Sequence, residues 1–274
     1  MTRLLDPRNE RSWDAAPFAG TRRTYVIAST PRTGSTLFAN ALWDTGRAGA
    51  PKEYLNPMQV RDFGVRFGSP PRRLAYRLLD GPLVALAGQT VDDDGMRAHL
   101  AQVLAVRTGG NGWFGLKLHH HHFERWWHVV EDVLEPVAWL YVRRQDTLGQ
   151  AISWELALQT GRWASSQRSW FPPMYSRARI QRRLDAIARA ENGWSAFFAA
   201  RRITPHVVAY EDLAADLDGV VRGALRHLGE PDDAPTVRPS QRPQANAISQ
   251  DWRARFMTDA FAPAKNQAIG SPHV

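Results

Sequence analysis

The chain has 274 residues, 43% hydrophobic and 23% charged, with a formal net charge of +8. That length accommodates one large domain or two small ones around a well-buried core. The absence of cysteine excludes disulfides, thiol catalysis and thiolate metal sites, and suits a reducing cytoplasm. The start, MTRLLDPRNERSWD, is polar and lacks an apolar core of signal-peptide length. No run approaches the roughly eighteen apolar residues of a membrane span, so a cytoplasmic location without membrane insertion is expected. Lysine occurs only at Lys52, Lys117 and Lys265, leaving arginine to supply nearly all the positive charge. Guanidinium forks suit phosphate and sulfate. The arginines are scattered among acids rather than gathered in a stripe, so no nucleic-acid partner is expected. The eleven tryptophans should mostly be packing, with some lining a cleft.

Taken in chain order, the apolar, β-branched run Tyr25–Ala28 predicts a short buried strand. Ser35–Thr45 follows as a helix with Leu37, Phe38, Ala41 and Leu42 on one face and Gly46 at its C-terminal cap. The long stretch over about 54–93 includes the Pro/Arg-rich FGSPPRRLAYRLLDGP and reads as an insertion serving as a lid or acceptor pocket. Asp94–Arg107 carries Met96, Leu100, Val103 and Leu104 at helical spacing and leads to a second strand, Trp113–Leu118. A third strand, Val137–Val142, precedes a helix over Asp146–Thr160 that opens on a capping Asp and stops before Gly161. Ile180–Ala200 is a long amphipathic helix, His206–Tyr210 a fourth strand and Leu217–Leu228 a final helix. Asp212 most simply caps the helix that follows the fourth strand. Residues 1–22 read as an N-terminal tail. Residues 231–274, rich in Pro, Gln, Asn and Ala, read as an extended segment whose last ten or so residues are disordered. Strands alternating with helices predict an α/β fold: a P-loop-like, mostly parallel central sheet with helices on both faces, in a single domain.

The segment YVIASTPRTGST carries the first chemistry. A strand feeding a small-residue turn and then a helix grips an anion with the unpartnered amides of the first helical turn. Pro31, Arg32, Thr33, Gly34, Ser35, Thr36 and Leu37 form this turn. Thr33 to Leu37 offer amides, Gly34 permits close approach, Ser35 and Thr36 add hydroxyls, and Arg32 adds a fixed charge. A nucleoside-triphosphate loop would read G-x-x-x-x-G-K-[ST]. Here no glycine opens the loop ahead of Gly34 and Ser35 stands where the lysine belongs, which disfavours ATP without disfavouring a phosphate. On this segment alone, an ordinary Ser/Thr-capped helix start remains the alternative.

Lys117, at the end of the strand beside the first, can aim an ammonium at a leaving oxygen, or it is a snorkelling strand-end lysine. In His119–His122, neighbouring rings point apart in a strand, and only i, i+3 or i, i+4 pairs share a helix face. The run therefore converges poorly on one ion, and no metal is expected; His119 should line the cleft with the other three solvated. The strand VAWLYV delivers Arg143 and Arg144 at its C-terminal end, where open α/β sheets bind ligands. Ser153 follows about two helical turns into the next helix. Trp154 and Trp163 flank that helix as stacking or packing residues.

STPRTGSTLFANAL resembles the 5′-phosphosulfate loop of sulfotransferases that use 3′-phosphoadenosine 5′-phosphosulfate (PAPS). DTGRAGAPKEYLNP is similar to the trehalose 2-sulfotransferase family, and NGWFGLKLH, YVRRQDTLGQAISWELALQTGRW and VVAYEDLAADL match in order. The resemblance spans roughly residues 24–257 and is weakest across about 61–93. It implies PAPS as co-substrate, adenosine 3′,5′-bisphosphate as product, no metal, and a homodimer. It assigns the 3′-phosphate to Arg144 and Ser153. These stand one position further apart than the usual spacing, so either the intervening turn holds an extra residue or Arg143 shares the duty. Arg242, in RPSQRPQAN, is a third candidate or a solvated tail residue. Glu53, in PKEYLNP, matches the family's catalytic carboxylate and ranks first as base. His119 rivals it, because Lys-x-His resembles cytosolic sulfotransferases with a histidine base. The expected acceptor is a hydroxyl of a carbohydrate, glycolipid or small metabolite. The rivals are a P-loop-like nucleotide kinase or NTPase and a non-catalytic anion- or nucleic-acid-binding protein.

Overall fold

The computed structural model describes residues 4–161, 172–231 and 247–261. Strand β1 (Arg23–Ser29) alternates Tyr25 and Ile27 on one face with Val26 and Ala28 on the other, and all four are fully buried. A strand apolar on both faces must be covered on both. The rest of the architecture does this. After β1 come α1 (Ser35–Asp44), α2 (Pro57–Phe67), α3 (Pro70–Arg77), α4 (Val84–Gln89) and α5 (Asp93–Arg107). Then β2 (Trp113–His119) runs into α6 (His120–Val133), and β3 (Pro136–Arg143) is followed by α7 (Thr147–Thr160) and α8 (Arg177–Arg201). The chain continues through β4 (His206–Ala209), α9 (Tyr210–Ala215), α10 (Leu217–His227) and α11 (Ala247–Phe261).

The four strands lie in the order β2-β1-β3-β4, and every pairing is parallel. Ile27 stands beside Lys117 on one side and Leu140 on the other, and Ser29 beside His119. One core layer joins Val26, Ala28, Leu116 and Leu118 to Phe63 of α2, Leu100 of α5 and Trp194 of α8. The opposite layer joins Tyr25, Ile27, Leu140 and Val208 to Phe38 of α1 and Leu225 of α10. The α/β fold with a parallel sheet and helices on both faces is thus as the sequence predicts. Trp126, Trp139 and Trp194 are buried in the first layer as packing residues. No helix among the described residues is long and apolar enough to cross a membrane.

The stretch over 54–93 holds α2, α3 and α4, and α2 is built into the core through Val60 and Phe63. Three other regions differ from expectation. Residues 120–133, unassigned from sequence, form α6, whose apolar positions Trp126, Val129 and Val130 are buried. The N-terminal stretch is no loose tail. Its two 3₁₀ turns, Pro7–Asn9 and Arg11–Trp13, are pinned to the body, and Asn9 is fully buried. Finally, the segment read as extended contains α11, a 15-residue helix. Trp252 and Phe256 repeat at i, i+4 and pack against Ala151 and Ile152 of α7 and Ile180 and Ile187 of α8. Burial on that scale outweighs the turn-rich composition preceding it; truncating a core tryptophan to alanine costs about 3–5 kcal/mol. Trp163, Arg242 and the last ten residues, expected to be disordered, lie outside the described residues.

Candidate active site

The loop after β1 enters α1 through Gly34, whose φ of 77° no side chain adopts comfortably. A Cβ there would also meet the Tyr210 ring at 2.7 Å, so two independent constraints demand glycine. Gly34 makes no side-chain cap, which leaves the first-turn amides to whatever binds there. The loop is held from beneath by the fully buried Gln150 of α7, whose Nε2 donates to Thr30 Oγ1 at 2.7 Å and to the Pro31 carbonyl at 2.8 Å. Thr33 spends its hydroxyl inside the loop on the Thr30 carbonyl at 3.0 Å. Arg32 has φ 69°, in the left-handed region, and its Nε donates to Ser153 Oγ at 2.9 Å.

That contact brings the loop and the second anchor to one place. Burial and the neighbouring Arg144 guanidinium both depress the Arg32 pKa, with Tyr210 acting the other way. Arg144 lies with its guanidinium 4.5 Å above the Tyr210 ring, so Tyr210 wedges between Gly34 and Arg144. Arg144 Nη2 donates to Asp146 at 3.4 Å, while its buried Nε has no hydrogen-bond partner among the described residues. Two guanidiniums beside a helix N-terminus repel one another, and a multivalent anion relieves that repulsion. Arg143 goes elsewhere: it is the last residue of β3 and pairs with Glu191 of α8 at 3.1 Å. Trp154 packs beside the α7–α8–α11 cluster under the Arg183 guanidinium. Asp212 is not a cap, because Ala209 holds the N-cap position of α9. The adjacent Glu211 instead accepts from the Gln145 and Asp146 amides, each at 3.2 Å, and so fixes the turn after β3.

The third part of the site lies at the top of β2. Lys117 Nζ donates to Thr36 Oγ1 at 2.7 Å and sits 2.5 Å from Glu53 Oε1. His119 Nε2 is 3.1 Å from the same Glu53 oxygen, and its Nδ1 is 3.0 Å from Ser29 Oγ. With Glu53 ionised, Nε2 carries the proton it donates, and in the neutral ring Nδ1 accepts from Ser29. Burial on its own would raise the Glu53 pKa; the Lys117 ammonium and the His119 imidazole reverse this and hold the carboxyl well below its ordinary 4.5. Lys117 and His119 thus meet on one Glu53 oxygen, with Thr36 on the Lys117 ammonium, and Arg32, Arg144 and Ser153 form the second group. Sequence reasoning missed Ser29, Gln150 and Tyr210. Tyr210 lies within the matching segment VVAYEDLAADL, but nothing local signals that Ser29 or Gln150 reaches the site.

Of the histidine run, His119 and His122 are buried, His120 is half-buried against Trp194, and His121 is exposed. The expectation that the last three are solvated fails because α6 starts at His120 and turns His122 inward. No group of three histidine or carboxylate side chains among the described residues is arranged to hold a metal ion. Burial, reinforced by His121, lowers the His122 pKa to about 3, and burial lowers that of His99 in α5 to about 4. Both rings are neutral in the folded chain, while their ordinary value is 6.5. Their contribution is therefore complete above pH 6.5, declines as the pH falls below it, and is gone by about 4 for His99 and about 3 for His122. The slope approaches about 1.4 kcal/mol per pH unit for each ring. Urea unfolding at about pH 7.5 and 5.5 should show the loss, and His122→Leu should remove one ring's share of the slope. An unchanged slope in that variant would mean that His122 takes up its proton inside the fold.

An amide-lined loop, two guanidiniums and a lysine–carboxylate pair at the C-terminal edge of a parallel sheet are the parts of a group-transfer enzyme with an anionic donor. The chain belongs to the Stf0 sulphotransferase family, whose model matches residues 24–259, and is a sulfotransferase. It is 30% identical to the trehalose 2-sulfotransferase of Mycobacterium tuberculosis (strain ATCC 35801 / TMC 107 / Erdman), over 87% of this chain and 96% of that protein. It is 28% identical to the trehalose 2-sulfotransferase of Mycolicibacterium smegmatis, over 86% and 95%. Among solved structures, a sulfotransferase from Alicyclobacillus acidocaldarius aligns with a TM-score of 0.46 at 15% identity, over 88% of this chain and 93% of that one.

Proposed function

We propose that the chain moves a sulfuryl group from PAPS to a hydroxyl of a carbohydrate, glycolipid or small-metabolite acceptor. We place it in the cytoplasm as a single domain acting in a homodimer, as its sequence and family resemblance lead one to expect. The observation that carries the catalytic reading is the shared ammonium. Lys117 reaches Thr36 at the anion loop and Glu53 at the same time, so the candidate base stands one side chain away from the loop amides.

PAPS brings about four negative charges on two phosphate-bearing ends. In this reading the amides of Thr33 to Leu37 and the Arg32 guanidinium receive the phosphosulfate end. Arg144 and Ser153 receive the 3′-phosphate, and Arg242 remains a further candidate there. Arg143 is the weaker candidate for that duty, since Glu191 holds it. The acceptor oxygen attacks sulfur in line with the bond from sulfur to the 5′-phosphate oxygen. As that bond breaks, its electron pair stays on the phosphate oxygen, where Arg32 and Lys117 offset the developing charge. Glu53 takes the acceptor's proton. Lys117 keeps Glu53 ionised in the resting site, and as its ammonium turns toward the leaving oxygen, Glu53 becomes more basic. His119 suits the role less well, because its Nε2 proton is committed to Glu53.

Trehalose is the first acceptor to test, since both mycobacterial relatives are named for it. Incubation with sulfur-labelled PAPS and trehalose, other sugars or glycolipids should yield a labelled sulfate ester. Donor binding with no labelled ester from any hydroxylated acceptor would contradict the reading.

A further inference from the structure

The residue before Glu53 faces the other way. Lys52 pairs with Leu116 along the outer edge of β2, and its carbonyl accepts from the Lys117 amide at 2.9 Å. In such an extended segment, successive side chains point to opposite sides. Glu53 turns toward Lys117 and His119, while Lys52 reaches the N-terminal strap, residues 4–14. Its Nζ is 2.5 Å from Asp6 Oδ2 and 3.1 Å from Asn9 Oδ1. The strap is itself anchored on Asp62 of α2, a fully buried carboxylate. Asp62 accepts from the Leu5 amide at 3.1 Å, the Asp6 amide at 3.0 Å, Asn9 Nδ2 at 2.9 Å and Arg61 at 2.8 Å. Towards its other side, Arg8 of the strap donates to Asn40 of α1 at 3.2 Å and sits 3.3 Å from Asp44. The strap therefore ties the segment that bears Glu53 to the helix that supplies the loop amides.

We propose that Lys52, clamped by Asp6 and Asn9, is a positioning residue that sets where Glu53 stands relative to the anion loop. This rests on the reading of Glu53 as the base. The clamp is made of charges the reaction does not use, and it grips the base-bearing segment from behind. Burial depresses the Lys52 pKa to about 8, with Asp6 opposing the shift and Arg107 and Arg8 adding to it. The ammonium faces Asp6 and Arg8 of the strap, Arg107 of α5 and, at 5.9 Å, the Trp43 ring of α1. Below about pH 8 the clamp holds; above it Lys52 gives up its proton and Asp6 loses its cationic partner, keeping the Arg8 amide and Gln59.

A double-mutant cycle on the full chain, with PAPS and a turned-over acceptor, separates positioning from bulk stability. Lys52→Met should lower kcat about tenfold or more, with KM for PAPS nearly unchanged. In the Glu53→Gln background the same change should do nothing further, because the residue it positions has gone. Lys52→Arg should restore most of kcat and move the alkaline limb of the kcat–pH profile upward, since arginine does not titrate there. Asp6→Asn should repeat the pattern if Lys52→Met does not fold. Equal loss in both backgrounds, or no loss in the wild type, would overturn the clamp. A wild-type kcat in Glu53→Gln alone would instead overturn the base, a different outcome of the same cycle.

Discussion

Glu53→Gln is expected to turn over about 10²–10⁴-fold more slowly than the wild type while binding the donor nearly as well. The amide keeps the shape of the carboxylate and can still accept from His119, but it cannot take a proton from the acceptor hydroxyl. It also leaves Lys117, only 3% exposed, without its counter-charge. Losing one partner of a buried pair is destabilising by about 3–5 kcal/mol where the pair is fully enclosed. With the Glu53 side chain 20% exposed, the cost here should be smaller. Rapid-quench single turnovers on folded variant protein therefore read the chemical step apart from stability. If His119→Ala shows the large loss and Glu53→Gln does not, the base assignment passes to His119.

Arg32 should show the second large effect. Removing a charge-assisted donor from a developing oxyanion typically costs about 10²–10³ in kcat. Its backbone position dictates the choice of variant. At φ 69° arginine already bears the left-handed strain of a Cβ; alanine keeps it unchanged, whereas glycine would relieve it and loosen the loop. Arg32→Ala is the cleaner experiment. It should reduce kcat by that factor and weaken the donor, while Ser153 loses a hydrogen bond and the loop keeps its path. Wild-type kinetics in Arg32→Ala would remove Arg32 from the mechanism.

The parts of this molecule that were legible in sequence are local. The four strands, the loop and α1 each lie within a dozen residues, where periodicity and turn chemistry act. Gly34 and Arg32 were singled out for chemical type, and the reason only glycine fits, the Tyr210 ring, arrives from the end of β4. The Asp62 anchor spans 57 positions to Leu5, a pairing that no local pattern encodes. Arg143 and Arg144 both follow the predicted strand, so local pattern alone does not separate them, and only the family resemblance favours Arg144. The structure separates them, since Arg143 is still in β3 and aligned with Ala209, while Arg144 has turned toward Tyr210. α6 was hidden behind four histidines, and α11 behind a proline- and glutamine-rich approach, although Trp252 and Phe256 carried the helical repeat.

The central claim is that one nucleotide is held at two anionic ends, with loop amides at one and Arg144 and Ser153 at the other. Calorimetric titration of the wild-type chain with adenosine 3′,5′-bisphosphate and with AMP tests it most directly. A charge-assisted 3′-phosphate contact is worth about 1.5–3 kcal/mol, so the bisphosphate should bind roughly ten- to a hundredfold tighter. Equal affinity for the two nucleotides would contradict it.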